Sequence, residues 1–381
     1  MAFLSKLFRK NIFLGIDVGT SAIKAVEITY DGQKPTLSNY GSIALRDPGT
    51  PTSPEVHTSI EALLKKMNIA ANRIYVSLPG SNGLVALLEF PEMTEKELEQ
   101  AVRFEAHKYI PTDMDDVALS WEVIHHPKNK QEHSLFSGLR KSEGDQSEKE
   151  LEEGGEKQVA SNKGKDLQEV LLVAALKNDV ASLSEHFRKA KYDIHAIELE
   201  SFSLARALAR EESQPVLIVD IGHSICNFVL VYDGVVRISR NIDVGGKGIT
   251  DTIADSMNLS KARAEAMKKS QEDLFHKKEM SLTFTVLDTI IGEANRVIAS
   301  YEKKHGDENV EQIILSGGTA SMTGLAAFFE ERSGKKVRVG DPWKGISCEK
   351  SLEPFVKDLG GGFAVASGLA LRGVDDYRRG V

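Results

Sequence analysis

The chain has 381 residues, 41% of them hydrophobic and 27% charged, which describes a soluble globular protein of two or three domains with a sizeable core. Its formal net charge of −8 argues against nucleic acid as the main partner. The only cysteines, Cys226 and Cys348, form no metal-ligand cluster and point to no oxidising compartment, and no apolar run reaches the roughly 18 residues that span a bilayer.

Met1 to Lys10 mix apolar and basic residues. They lack the apolar stretch and small-residue cleavage site of a signal peptide, so a cytoplasmic location is expected. The segment reads as a lead-in that packs Phe8 beside the first strand; an amphipathic turn touching a membrane or partner is the alternative. Residues 12–30 read as a hairpin. An apolar strand runs to Asp17-Val18-Gly19-Thr20-Ser21, and a second strand carries Lys24 and ends at Tyr30-Asp31-Gly32. A further strand covers Lys34–Leu45, and Asp47–Pro51 breaks the chain. Pro54–Met67 has Ile60, Leu63, Leu64 and Met67 at helical spacing. Arg73–Leu78 is a strand before the Pro79-Gly80 turn.

Next comes a strand at Leu84–Phe90. Thr94 and Glu97 form a capping box for a helix through Leu98, Ala101, Val102, Glu105 and Tyr109 that stops before Pro111. Strands Val117–Ile124 and Val170–Leu176 follow. The polar stretch between them, His125 to Gln168, buries too little to offset its ordering entropy and reads as a mobile hairpin loop or a docking tail. Its His125, His126 and His133 read as scattered loop residues rather than metal ligands. Asn178–Ala190 is a helix capped by Asn178, Ile194–Leu199 a strand, and Glu200–Leu208 a helix. Glu211–Pro215 marks a boundary.

The opening pattern then returns. Val216–Ile221 leads through Asp220-Ile221-Gly222-His223-Ser224 into the strand Ile225–Tyr232, which also ends in Asp-Gly. A third strand, Val235–Val244, precedes Gly245-Gly246-Lys247-Gly248 and the helix Ile249–Met257. This is not a Walker A loop, yet a glycine pair before a helix can present amides to an anion. Lys261–Lys269 and Leu282–Lys304 are helices, and Val310–Leu315 is a strand running into Ser316-Gly317-Gly318-Thr319. Those glycines suit either the approach of a flat ring or ribose, or a tight turn. Helix Leu325–Ser333, strand Val337–Val339 and an Ala/Gly-rich helix Phe363–Leu371 close the chain.

The repeated Asp-x-Gly-x-Ser has a simple chemistry. Glycine allows a turn whose outward amides hold phosphate oxygens. A carboxylate repels phosphate, so it acts through water or a cation, and Mg2+ suits a carboxylate or two plus phosphates. One copy alone reads better as an ordinary hairpin. Two copies suggest two similar half-domains that clamp one Mg2+–polyphosphate.

The ordered set comprises the Asp17 hairpin, the helix at Glu200, the Asp220 hairpin, Gly317-Gly318 and the final helix at Ala364–Gly368. It resembles the actin, heat-shock chaperone and sugar kinase superfamily. The resemblance implies an α/β actin-like ATPase fold of two similar ribonuclease H-like domains. The inserted strand-helix-strand-strand unit is similar to that of the FtsA and type IV pilus PilM families, PilM more closely, and the segments Phe90–Leu98 and Phe104–Pro111 within it, and Asp193–Phe202 and Ala264–Lys268 outside it, are similar to the PilM pattern. The long polar loop departs from that pattern. Implied domains are 11–82 plus 177–212, the insertion 83–176 with its loop 125–168, and 213–373, between a lead-in 1–10 and a tail 374–381.

By the same resemblance, Asp17 and Asp220 hold Mg2+ through water. Gly19, Thr20, Ser21 and Lys24, with Gly222, His223 and Ser224, line the ATP phosphates, and Gly245 and Gly246 join that set. Glu200 positions the attacking water, Glu265 and Lys268 flank ribose and adenine, and Gly317 and Gly318 face the nucleotide. From the residues alone, Glu265 and Lys268 read as a solvated helix face. The implied role is a cytoplasmic ATP-binding scaffold with slow or negligible hydrolysis. It would bind the N-terminal peptide of a PilN-like inner-membrane protein and associate with the membrane through it; a homo-oligomer is open. Phe90, Phe104 and Tyr109 either line the peptide groove or form the subdomain core. The alternative is an FtsA-like filament-forming division ATPase, although Asp375–Val381 is too short and polar for a membrane helix.

Overall fold

The computed structural model describes residues 11–45, 55–71, 73–110, 112–125, 140–141, 167–275, 282–306 and 308–380. The lead-in, the Asp47–Pro51 break and most of the polar loop, with His126 and His133, lie outside them. The apolar run before Asp17 makes β1 (Asn11–Val18), whose Phe13–Val18 are all buried. It pairs antiparallel with β2 (Ala22–Tyr30), which pairs with β3 (Pro35–Ala44). Helix α1 (Glu55–Met67) buries Val56, Ile60, Leu63, Leu64 and Met67 as its spacing requires, and β4 (Arg73–Leu78) joins β1 in parallel.

The insertion is a compact unit of its own, residues 84–177. It contains β5 (Gly83–Pro91), α2 (Glu95–Ala106), β6 (Val117–His125), the two-residue β7 (Arg140–Lys141) and β8 (Leu167–Leu176), in sheet order β5-β8-β6-β7. The Thr94–Glu97 capping box forms in both directions. Helix α2 ends at Ala106, earlier than Tyr109, because His107 to Tyr109 turn back on the last carbonyls. Leu98, Val102 and Ala106 pack on Leu88, Phe90, Trp121 and Leu172. Phe90 is therefore core, whereas Phe104 and Tyr109 are 73% and 48% exposed. Gln168, expected in the loop, belongs to β8 and donates to the Pro91 carbonyl.

Helix α3 (Lys177–Lys189) starts directly from β8, so Asn178 lies in its first turn rather than capping it. Then come β9 (Ile194–Leu199), α4 (Glu200–Leu208), β10 (Val216–Ile221), β11 (Cys226–Tyr232) and β12 (Val235–Ile242). Three helices follow, α5 (Gly246–Met257), α6 (Lys261–Lys268) and α7 (Thr285–His305). The remainder is β13 (Gln312–Ser316), α8 (Leu325–Ser333), β14 (Lys336–Val339), β15 (Ser347–Cys348), α9 (Glu353–Leu359) and α10 (Ala364–Arg379).

The first sheet runs β15-β3-β2-β1-β4-β9 and the second β12-β11-β10-β13-β14. Leaving out β15, the orders match, and so do the senses. Each central strand is antiparallel to the next strand in sequence and parallel to its other neighbour. The duplication seen in the hairpins thus extends to whole half-domains.

The last helix is longer than its Ala/Gly pattern indicates. It continues to Arg379, and Val374 and Asp375, read as part of a polar tail, are buried. Asp375 is buried against Arg206 and Arg210, and the Tyr377 ring lies 6.3 Å from Phe13. Close approach explains the glycines. A Cβ on Gly15 would lie 2.1 Å from the Ala366 carbonyl, and one on Gly368 2.0 Å from that of Ser203. No helix among the described residues is long and apolar enough to cross a membrane.

Candidate functional site

The two hairpin turns close in the same way. Gly19 N–H donates to Ala22 O at 3.1 Å, and Gly222 N–H to Ile225 O at 3.0 Å. A Cβ at Gly222 would sit 2.8 Å from that carbonyl, so the turn needs glycine. Asp17 stands opposite Lys24, and Asp220 opposite Asn227. The parallel neighbours match too. Ser77 Oγ donates to Asp17 Oδ1 at 3.1 Å while accepting Val18 N–H, and Ser316 is paired with Asp220.

The turns meet at one cavity of about 260 Å3. It gathers Asp17, Gly19, Thr20, Ser21, Lys24, Glu200, Asp220, Gly222, His223, Gly246, Glu265, Lys268, Gly317 and Gly318. Ser224 and Gly245 are not in its lining. Sequence reasoning missed Gly80, Asn227, Thr319 and Gly361-Gly362, which line it as well. Superposing the two repeated words would have found Asn227, which occupies the position of Lys24. The run Gly360–Gly362 was visible but carried no distinguishing partner.

Of the acids lining this space, Asp17 and Asp220 act on Glu200. Glu200 opens α4, and its Oε2 accepts Asn227 Nδ2–H at 2.9 Å and Gly80 N–H at 3.4 Å. Burial, then the charges of Asp17 and Asp220, push it up to about 8. Burial also raises Asp17 against the opposing pull of Lys24 and Ser77, and raises Asp220 against Ser316 and Lys24. Buried acids gathered in this way favour a cation. Among the described residues no three His, Cys, Asp or Glu side chains are placed to hold a metal ion together. A cation here would keep waters and use phosphate oxygens, a donor set that fits Mg2+.

Between pH 4.5, the ordinary value for Glu, and about 8, the folded protein holds a proton on Glu200 that the unfolded chain releases. Stability therefore falls as pH rises through that window. Glu200→Gln should raise the thermal midpoint of the ligand-free protein at pH 8, with the gain shrinking toward pH 5. We expect roughly 1–2 kcal/mol, discounted because the side chain lines an open cavity. An equal gain at both pH values would contradict this account.

Lys268 is not on a solvated face. It is 5% exposed, donates to Gly246 O at 3.1 Å and to Thr250 Oγ1 at 2.9 Å, and pairs with Glu265 at 2.7 Å. Burial works against Glu265 ionising, but Lys268, Thr250 and Lys269 outweigh it and hold the carboxyl at about 2. This knot ties α6 to α5. The amides opening α5 are also used within the protein. Gly246 N–H donates to Gly222 O, Lys247 N–H to His223 O and Gly248 N–H to Gly245 O. They are not available to an anion as the glycine pair suggested. The pair instead allows the helix to start against the hairpin turn, since a Cβ on Gly245 would lie 2.7 Å from both Gly222 O and His223 O. Gly317 takes φ +87°, and a Cβ there would meet Ile221 O at 2.3 Å.

The family described as type IV pilus assembly protein PilM matches residues 15–160 and 156–374. Cell division protein FtsA of Pseudomonas aeruginosa is 22% identical over 380 residues, covering 88% of this chain and 85% of FtsA. Among solved structures, the PilM-PilN type IV pilus biogenesis complex is similar at a TM-score of 0.72 and 24% identity, covering 95% of this chain and 98% of that one. MreB5 of Spiroplasma citri bound to ADP has a TM-score of 0.50 at 12% identity, over 97% and 99%. At these identities the structural likenesses establish the fold, which is the actin-like ATPase fold.

Proposed function

The chain belongs to the PilM family of type IV pilus assembly proteins, and from that premise we propose that it is an ATP-binding scaffold that docks the N-terminal peptide of a PilN-like membrane protein. The observation that carries the nucleotide reading is the meeting of two Asp-bearing turns at one cavity with Lys24 between them. The ADP bound to the MreB5 relative supports it. Lys24 and the hydroxyls of Thr20 and Ser21 would bind phosphate oxygens, and Asp17 and Asp220 would hold hydrated Mg2+. When bound, Mg2+ supplies charge neutralisation and orientation of the phosphates. Glu265 and Lys268 stiffen the wall on the α6 side. Glu200, protonated near neutral pH in the ligand-free site, would have to give up that proton before it could accept one from water, which supports holding nucleotide over rapid turnover.

The PilM-PilN complex supports the choice of partner. Phe104 and Tyr109 offer exposed aromatic surface on the inserted unit for apolar side chains of an extended peptide. Membrane association would then come through the partner. The FtsA likeness keeps one rival in play, a filament-forming ATPase.

Thermal unfolding with ATP and Mg2+ tests the first part. At a hundred times Kd, binding adds about 2.7 kcal/mol, and a chelator should remove most of the shift. A pull-down with the partner's N-terminal peptide, with and without ATP, tests the second. Steady phosphate release at ~10 s−1, or ATP-dependent sedimentation of filaments, would replace the scaffold reading with the rival.

A further inference from the structure

The two halves of the site differ at one register position. The strand partner of Asp17 is Lys24, a cation; the partner of Asp220 is Asn227, a neutral amide. The Asn227 side chain is buried and points toward the first half. Its Nδ2 donates to Glu200 Oε2 at 2.9 Å, and the same side chain hydrogen-bonds Asp220. An amide nitrogen carries two N–H groups, enough to serve two carboxylates at once. No charge is added, so Lys24 stays the cation acting on both aspartates.

Glu200 belongs to the first half, at the β9–α4 junction, and Asn227 to β11 of the second. The second donor to Glu200, Gly80 N–H, again comes from the first half. The seam is close. A Cβ on Gly80 would lie 2.9 Å from Asn227 Oδ1 and 3.9 Å from Asn241 Nδ2. Asn227 cannot follow a displaced Glu200, because its backbone is paired on both sides, with Asp220 and with Asn241.

We propose that Asn227 is a positioning residue that latches Glu200 across the seam, so that Glu200 keeps both of its hydrogen bonds only while the second half is closed on the first. The bond forms with or without nucleotide. Its response to nucleotide rests on the ATP-binding reading above. A ligand that spans both hairpins draws the halves together and tightens the latch.

Amide hydrogen exchange at Gly80 reads the latch directly, because that N–H donates to Glu200. In the ligand-free protein, Asn227→Ala should speed exchange at Gly80 about tenfold, the loss of one hydrogen bond. Glu200→Ala should do the same. The double variant should exchange no faster than Glu200→Ala, as expected for residues that act through one contact. Asn227→Asp, which keeps the shape but lacks both N–H donors, should behave like Asn227→Ala. Asn227→Gln, which retains the amide, should recover part of the protection. Exchange at Val229, in the same strand, is the control for general loosening and should not move. ATP with Mg2+ should slow Gly80 exchange in the wild type and not in Asn227→Ala.

Unchanged Gly80 exchange in Asn227→Ala and Asn227→Asp would overturn the proposal, as would additive effects in the double variant or equal acceleration at Val229. If the ligand-free pattern holds but ATP with Mg2+ neither raises the thermal midpoint nor slows wild-type exchange, the positioning role stands and the nucleotide reading fails; a raised midpoint with unchanged exchange overturns the latch's response to nucleotide.

Discussion

Arg206→Met lowers stability by about 3–5 kcal/mol at pH 7, the usual effect of removing one partner from a buried ion pair. The Arg206 side chain is fully buried. It grips Glu198 through two bonds, Nη1 to Oε1 at 2.6 Å and Nη2 to Oε2 at 3.0 Å, and donates to Gly368 O at 2.9 Å. Arg372 and Ser203 bind the same carboxylate, and Asp375 lies 3.7 Å from Arg206 Nε. This network fastens α10 to the β9–α4 junction that carries Glu200. Methionine fills most of the volume but leaves Glu198 buried with less compensation.

The pH dependence identifies the cause. Burial would raise the Glu198 carboxyl, but Arg206 and Arg372 hold it below the usual carboxylate range. In the wild type, this contribution is present above the ordinary value of 4.5 and is lost as pH falls through the lower folded value. Without Arg206, burial has less to oppose it, Glu198 titrates higher, and the penalty shrinks as acid protonates it. Urea unfolding at pH 7 and pH 5 should show the larger loss at pH 7. Adding Glu198→Gln to Arg206→Met should recover much of it, since removing both charges avoids the stranded carboxylate. A loss under 1 kcal/mol at pH 7 would mean that the remaining contacts of α10 hold it without Arg206.

Asp17→Ala and Asp220→Ala should each weaken binding of ATP with Mg2+ by about 10–100-fold, the range for groups that hold a metal through an intervening layer. Titration of a fluorescent ATP analogue, with Mg2+ and with chelator, measures this. The variants should bind similarly in the two conditions, while the wild type should bind better with Mg2+. The effects need not be equal, because Asp17 faces a lysine and Asp220 an amide. If neither substitution changes the dissociation constant, the hairpins are turns and no more. Ligand-free stability should move the other way. Each aspartate helps to push Glu200 upward, so removing one relieves the remaining acids, a trade of stability against function.

What the chain determined by itself is local. Apolar strands before Asp17 and Asp220, the tight turns at Gly19 and Gly222, and the Thr94–Glu97 cap depend on neighbours a few residues away. Their geometry admits few residue types, so they were legible, and their repetition indicated two similar halves. The tertiary structure decided what depends on distant partners. The charge of Lys268 suggested solvent, but Thr250, Glu265 and Gly246 give it a buried place. The polar end of α10 suggested a tail, but Arg206 and Arg210 make Asp375 a buried anchor. Gly245 and Gly246 suggested an anion site, but the hairpin turn takes the amides that open α5. Asn227 carried no signal in its own strand, because its meaning lies in Glu200, which reaches it from the other half. A charged or polar side chain is read locally as exposed because an unpaired one is costly to bury. Only the fold supplies the partner that removes the cost.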